Sequence, residues 1–358
     1  MKEKRILIYR LGSLGDMVVA LPALHLIQKA FPKSYYGLVT NFPVNSKAPT
    51  AEMIFGRGPL IHDYVSYPLK MRKLKDLFSL WKKIVSWKPD VFIYLTEKRG
   101  ILNALGMAIF FKLCGFPKLI GFPLKPSLNK NLWLPASRRY ESESSRLLRF
   151  ISSLGTVDLD DLKNWEMNFF ESEKNKVTQI LKNLDPMKSY IVCSIGTKDP
   201  LRDWEEHNWS RLIQQMSQKY SKQYGLIFIG VSSEYDYSQK FIDLWAGSAL
   251  NLCGALLPRE SALVLKSATF FIGHDSGPVH LAAAQGTPCV AISTARWLPG
   301  IWFPYGQQHE VLYHQIECAG CQLTVCEKYK KKCILSIRVE EVMTAIENIL
   351  SKLSMRRL

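Results

Sequence analysis

Three short stretches of this chain combine side chains that can bind or transfer with glycines that let a ligand come close. The first is "HDSGPVHLAAA" (274–284), which follows the apolar run "TFFIG". Gly277 lets the backbone approach a ligand, Pro278 suits a first helical turn, and Asp275 or Ser276 can cap the helix. Free amides at such a helix start attract anions, phosphate above all, and His280 lies one turn further along. Two readings stand at this point: a phosphate cradle with His280 turned toward it, or an ordinary cap before a buried helix with His280 in the core. The second stretch, "RLGSLGD" (10–16), lacks the three-glycine dinucleotide spacing. Gly12, Ser13 and Gly15 give a tight turn that ends on Asp16. A carboxylate there can take a proton from a hydroxyl nucleophile or can simply cap a helix. The third, "GTKDPLRDW" (196–204), sets Thr197, Lys198 and Arg202 just before a helix, where they suit a diphosphate or stand as solvated charge. In "GVSSEYDYSQ" (230–239), Glu234 is placed to accept ribose hydroxyls.

The elements that must position these residues are strands followed by helices. "RILIYR" (5–10), "YYGLVT" (35–40), "DVFIYL" (90–95) and "KLIGF" (118–122) read as strands with helical stretches between them. From about 125 to 175 the texture changes, with "SRRYESESSRLLRFISSLG" reading as an exposed helix. The alternation restarts at "SYIVCSIG" (189–196) and continues through "GLIFIG" (225–230), "TFFIGH" (269–274) and "PCVAIS" (288–293). It closes on the amphipathic helix "SIRVEEVMTAIENILSKL" (336–353). Two successive doubly wound sheets follow from this pattern, each with its ligand loops beyond the carboxyl ends of its strands.

Composition narrows the partners. The chain has 358 residues, 47 Lys+Arg against 31 Asp+Glu, and a formal net charge of +16. Such a balance favours nucleic acid, phosphorylated substrates or an anionic membrane face. No segment is long and apolar enough to span a bilayer, and Arg10 and Asp16 interrupt the only signal-like run, so a cytoplasmic protein is expected. "PLKMRKLKDLFSLWKKIVSWKP" (68–89) joins an apolar stripe, read as core, to lysines that suit an anionic leaflet. Near the end, "CAGCQLTVCEKYKKKC" crowds Cys318, Cys321, Cys326 and Cys333 together. That spacing suits structural zinc or iron, against reduced thiols or disulfides. Being far along the chain from the other motifs, the cluster is assigned no chemistry.

Taken together, "ILIYRLGSLGDMVVALPALHLIQKAFP", the "GTK…RDW…NW" loop and "IGHDSGPVHLAAAQGTPCVAIS" resemble glycosyltransferase family 9, the family of the lipopolysaccharide heptosyltransferases. The resemblance implies a GT-B fold: two Rossmann-like domains facing across a cleft, with the last helix crossing back to the first. It divides the chain into an acceptor domain (1–170), a nucleotide-sugar donor domain (171–335) and a terminal helix (336–358) packing on the first domain. It implies inverting transfer, without a catalytic metal, from a nucleotide-diphosphate sugar such as ADP-heptose to a hydroxyl of a lipopolysaccharide core, O-antigen or related surface glycan. A glycolipid or oligosaccharide acceptor and peripheral attachment at the inner membrane face follow from it, and nucleic acid does not. Asp16 matches the general base. Asp275, Ser276 and Gly277 match the donor-phosphate loop, and Thr197 matches a phosphate-contacting hydroxyl. Arg202 stands where heptosyltransferases usually carry Lys, and Ser276 where Thr is frequent. "ARWLPGIWFPYG" (295–306) is similar to members from surface-polysaccharide assembly. Cysteine clusters occur in part of the family, in some members resembling an iron-binding finger. The rival expectations are a nucleotide-sugar epimerase or dehydrogenase, for which the glycine fingerprint is incomplete, and a non-catalytic binder of anionic glycan or nucleic acid.

Overall fold

A computed structural model describes residues 3–42, 48–68, 74–96, 101–185, 187 and 189–355. The chain divides into two compact units, Met1–Asn168 and Phe169–Leu358.

The first unit is built on a five-stranded parallel sheet. Its strands are β1 (Arg5–Tyr9), β2 (Tyr35–Asn41), β3 (Asp63–Tyr67), β4 (Val91–Tyr94) and β5 (Lys118–Ile120), in spatial order β3-β2-β1-β4-β5. Strands β1, β2 and β4 are apolar almost throughout, as expected of parallel strands covered on both faces. Helices α1 (Leu14–Val18), α2 (Leu21–Ala30), α3 (Ala51–Phe55), α4 (Leu74–Trp87) and α5 (Ile101–Leu113) connect them. The break between α1 and α2 lies where Pro22 starts the second helix. A two-stranded hairpin, β6 (Trp133–Leu134) and β7 (Arg139–Tyr140), precedes α6 (Glu143–Phe150). This last helix is not the exposed one that its composition suggests. Glu143, Arg146, Leu147 and Phe150 are all buried, because the two charges pair with each other inside the unit.

The second unit carries a six-stranded parallel sheet in the order β10-β9-β8-β11-β12-β13. These are β8 (Ser189–Ser194), β9 (Tyr224–Phe228), β10 (Ala249–Asn251), β11 (Phe270–His274), β12 (Cys289–Ser293) and β13 (Glu310–Tyr313). Its helices are α7 (Glu171–Leu181), α8 (Glu206–Tyr220), α9 (Tyr235–Ile242), α10 (Pro258–Lys266), α11 (Gly277–Ala284), α12 (Lys332–Leu335) and α13 (Val339–Met355). Trp204, Trp209, Ile213, Phe228 and Ile272 form the centre of its core. The terminal helix α13 spends its apolar stripe within this second unit, where Val339, Val342, Ala345, Ile346 and Ile349 join the same cluster. Glu340 pairs with Arg211 and Glu347 with Lys219, both on α8. The resemblance had assigned that helix to the first domain.

Strand order fixes where ligands are sought. In each sheet the chain winds outward from a central strand, then returns to that strand's other side. The loops after β1 and β4, and those after β8 and β11, therefore diverge at a topological switch point.

Candidate active site

In the first unit the loop after β1 holds a carboxylate in a prepared seat. Asp16 Oδ2 accepts the Ser13 N–H at 2.8 Å and the Ser13 hydroxyl at 3.0 Å, so the carboxylate closes the start of α1. Gly12 has φ of +142°, and a Cβ there would lie 2.3 Å from Asp16 Cβ, so only glycine leaves the carboxylate its space. Asn41, at the end of β2, fixes the same turn by accepting the Gly12 N–H at 2.8 Å. Arg10 closes the arrangement from below. Its Nε and Nη2 donate to the Asp16 carbonyl and its Nη1 to the Leu95 carbonyl, beyond β4. The same guanidinium lies 3.9 Å from Asp16 Oδ1 and 3.6 Å from Glu143 Oε1, and Glu143 is in turn forked by Arg146. Two arginines and two carboxylates thus alternate in a buried chain. The Asp16 side chain is 14 % exposed, against 1 % for Arg10, and so stands at the chain's open end.

In the second unit the loops after β8 and β11 meet. Trp204, fully buried, donates its N–H to His274 Nε2 at 3.2 Å, and Arg202 Nη1 donates to the Asp275 carbonyl. Thr197 donates to the Asp199 carbonyl at 3.2 Å, tightening the turn that presents Arg202. Lys198 is exposed on this turn. Asp199 Oδ2 pairs with Arg296, which follows β12, and lies 3.5 Å from Arg202 Nη2. Sequence reading passed over Arg296. The only local signal was a guanidinium three residues past an apolar strand.

Ser276 holds the N-cap position of α11, yet its side chain makes no capping bond, and Pro278 opens the helix. Its hydroxyl is buried without a partner, as is Asp275 Oδ1; Asp275 Oδ2 accepts from the Thr294 hydroxyl at 2.8 Å. Capping by Asp275 or Ser276 therefore does not account for these residues. Burial pushes the Asp275 carboxyl above the ordinary range, while Arg202, Thr294 and Arg296 pull it back. His280 is buried edge-on to Trp302, with ring centroids 5.7 Å apart. Burial and then Arg202 hold its pKa down to about 4, and burial and then Arg202 hold His274 down to about 3. Both rings are neutral near pH 7 and contribute no positive charge to the loop. Glu234 caps the turn after β9 by accepting the Val231 N–H at 3.0 Å. Its carboxylate occupies the space that a Cβ on Gly196 or Gly230 would take, which sets it beside the ends of β8 and β9.

The cysteine loop carries Cys318, Cys321 and Cys326 half-buried and Cys333 buried, and all eight cysteines of the chain are free thiols. Cys318 is pushed up by its limited burial and by Cys321 and Cys326. Sulfur is the right donor type for zinc or iron. Among the described residues, however, no three His, Cys, Asp or Glu side chains stand close enough together to hold a metal ion. Within the basic segment 68–89, residues 69–73 lie outside the described residues. The remainder forms α4, whose Leu80, Ile84 and Trp87 are core while Lys75, Lys82 and Lys83 are exposed.

Two Rossmann-like units, with polar loops gathered at their switch points, define a GT-B glycosyltransferase. The profile of glycosyltransferase family 9 (heptosyltransferase) matches residues 78–332, more than half of the chain. The chain belongs to that family. A curated relative is the lipopolysaccharide core heptosyltransferase OpsX of Haemophilus influenzae, 22% identical over 302 residues, covering 81% of this chain and 78% of that protein. Among solved structures, a family 9 glycosyl transferase from Veillonella parvula aligns with a TM-score of 0.73 at 18% identity, over 98% of both chains. The E. coli heptosyltransferase WaaC with ADP aligns at 0.64 and 16% identity, covering 96% of this chain and 99% of that one. At these identities the solved structures speak for the fold. The family match decides for a glycosyltransferase over an epimerase, a dehydrogenase or a non-catalytic binder.

Proposed function

We propose that the protein transfers a sugar, heptose or a related one, with inversion, from a nucleoside-diphosphate donor to a hydroxyl of a lipopolysaccharide core, O-antigen or other surface glycan. The observation that carries the donor half is the meeting of Arg202 with Asp275 at the start of α11, where the Ser276 hydroxyl and Asp275 Oδ1 are buried and unspent. As the glycosidic bond to the donor breaks, negative charge grows on the departing diphosphate. Arg202, Lys198, the Thr197 hydroxyl and the amides at Ser276 and Gly277 stabilise that charge. Glu234 accepts the ribose hydroxyls, and neutral His280 supports the helix start. The acceptor hydroxyl gives its proton to Asp16, whose orientation Ser13 and Arg10 fix, as its oxygen attacks the anomeric carbon from the opposite face. Gly12 and Gly15 keep that turn thin enough for an acceptor to approach. Relatives named for lipopolysaccharide core transfer support the acceptor class.

No metal enters this reaction. The four soft thiols of the cysteine loop are assigned structural zinc or iron, which requires them to converge further than they stand. Metal analysis of protein purified without chelator tests that assignment, and less than one zinc or iron per chain removes it. None of the described helices is long and apolar enough to cross a membrane. A cytoplasmic enzyme peripheral to the inner membrane face is the reading that fits a glycolipid acceptor. The first unit offers a surface for it. Leu102, Leu105, Ile109 and Leu113 form one exposed apolar face of α5, and exposed Phe78 stacks on Trp81 next to it. Lys82, Lys83 and Lys112 are exposed nearby, a combination that fits an anionic leaflet.

The decisive experiment is a thermal-shift screen against ADP-, GDP-, UDP- and dTDP-sugars, followed by mass spectrometry of product formed on crude glycolipid. A stabilising donor and a product one sugar heavier, with inverted anomeric configuration, are expected. Turnover of the donor without any acceptor would overturn the reading.

A further inference from the structure

The cysteine loop, remote in sequence, is stitched to the loops that receive the donor in the reading above. Gly320 N–H donates to the Ala295 carbonyl at 2.8 Å, and Gln322 N–H to the Arg296 carbonyl at 3.0 Å. Arg296 Nη2 returns a bond to the Gln322 carbonyl at 3.4 Å. Lys331 Nζ donates to the Asp203 carbonyl at 3.1 Å and pairs with Glu205 at 2.9 Å. The segment thus grips both Ala295 and Arg296, beyond β12, and the turn after Arg202.

What it grips is a guanidinium with capacity to spare. Arg296 is 12 % exposed and shares the single oxygen Asp199 Oδ2 with Arg202. The Nε groups of both arginines are buried with no partner. Both guanidiniums act on Asp275, whose own carboxylate form is disfavoured by burial. Two fixed cations thus share one carboxylate oxygen of Asp199, beside the uncapped start of α11, and His274 and His280 contribute no positive charge there. The two buried Nε donors and the Ser276 hydroxyl leave hydrogen-bonding capacity that a multivalent oxyanion would fill.

We propose that Arg296 is a second guanidinium for the donor's diphosphate. Asp199 is the internal carboxylate that holds it when no donor is bound, and the cysteine loop is the brace that aims it. The proposal rests on the donor-site reading. Its test is calorimetric titration of the full chain with whichever of ADP, GDP, UDP and dTDP gives the largest thermal shift, and with the matching nucleoside. Arg296→Gln is expected to weaken the diphosphate about tenfold or more, while leaving the nucleoside within about twofold. Arg296→Lys recovers part of the loss. Asp199→Asn, which frees both guanidiniums, is expected to tighten the diphosphate several-fold. Diphosphate binding by Arg296→Gln equal to that of the unaltered chain overturns the proposal. Equal loss of diphosphate and nucleoside reduces Arg296 to a structural part and overturns it too. If Arg296→Gln does not fold, Asp199→Asn decides: weaker diphosphate binding refutes the role given to the pair. Failure of the unaltered chain to bind any of the four diphosphates would instead strike the donor reading itself.

Discussion

The loops after β1 and after β11 both leave strands at the switch point of their own sheet, yet they treat polar groups in opposite ways. After β1, both Asp16 oxygens face a partner, in Ser13 and Arg10, and Arg10 is itself forked onto two carbonyls and flanked by Glu143. After β11, the Ser276 hydroxyl, Asp275 Oδ1 and the neighbouring Arg202 Nε are buried with nothing to bond. Buried polar atoms without partners are destabilising, so a fold keeps them where a ligand will satisfy them. The contrast separates two jobs. The first loop fixes the direction of one side chain. The second leaves two buried donors, the Ser276 hydroxyl and Arg202 Nε, unspent beside a helix start.

Breaking the first loop should have the largest effect on turnover. Asp16→Asn is expected to lower kcat by at least about a hundredfold while donor affinity stays within about twofold, as general-base loss predicts. Steady-state kinetics and calorimetry on the same preparation check it. Breaking the second loop should show up in both binding and rate. Arg202→Ala is expected to cost on the order of a hundredfold in kcat/KM, with nucleoside diphosphate affinity falling as well. An equal loss of affinity in Asp16→Asn would erase the distinction between the loops.

A third effect is on stability. Glu143→Ala leaves Arg10 and Arg146 facing each other without their shared carboxylate, and should destabilise the first unit by about 3 kcal/mol. Denaturant unfolding followed by fluorescence would register it as a lower midpoint. A further effect is on pH response, and it sharpens the comparison. Burial holds His274, His280 and His309 in the second unit at about 3, 4 and 4, below the ordinary imidazole value of 6.5. The unfolded chain binds protons at these sites before the folded one does. Stability is therefore full above about pH 6.5 and falls as pH drops toward 4, by up to about 1.4 kcal/mol per pH unit for each ring. In the first unit, burial lowers His25 in the same direction. The second unit should accordingly lose its melting temperature faster on acidification, and His280→Asn should flatten that slope.

Much of the frame was legible in the sequence, because parallel strands buried on both faces read as continuous apolar runs. "RILIYR", "DVFIYL" and "TFFIGH" lie within a residue of β1, β4 and β11. The strands that escaped, β3, β10 and β13, lie at or next to sheet edges and are short or mixed in polarity. At the site, the loops themselves were visible through their glycines, but the partners of Arg10 were not. Arg10 read only as an interruption in an apolar run, and Glu143 and Arg146 read as the face of an exposed helix. Nothing local could link Arg10 to Glu143, since that pairing arises only when α6 packs beside α2 in the folded unit. The cysteine loop stood out in the sequence, but its link to Arg296 did not, for the same reason. It is twenty or more residues past Arg296, yet Gly320 and Gln322 hydrogen-bond directly to Ala295 and Arg296.

One detail of the first loop reaches beyond this chain. A hydrogen at the α-carbon of residue 12 is all that the neighbouring acid group tolerates, so even an alanine there would push that carboxylate out of its seat. Descendants of this enzyme can change the sugar they move or the surface they decorate, but that corner of the backbone must be inherited unaltered for as long as the reaction itself is kept.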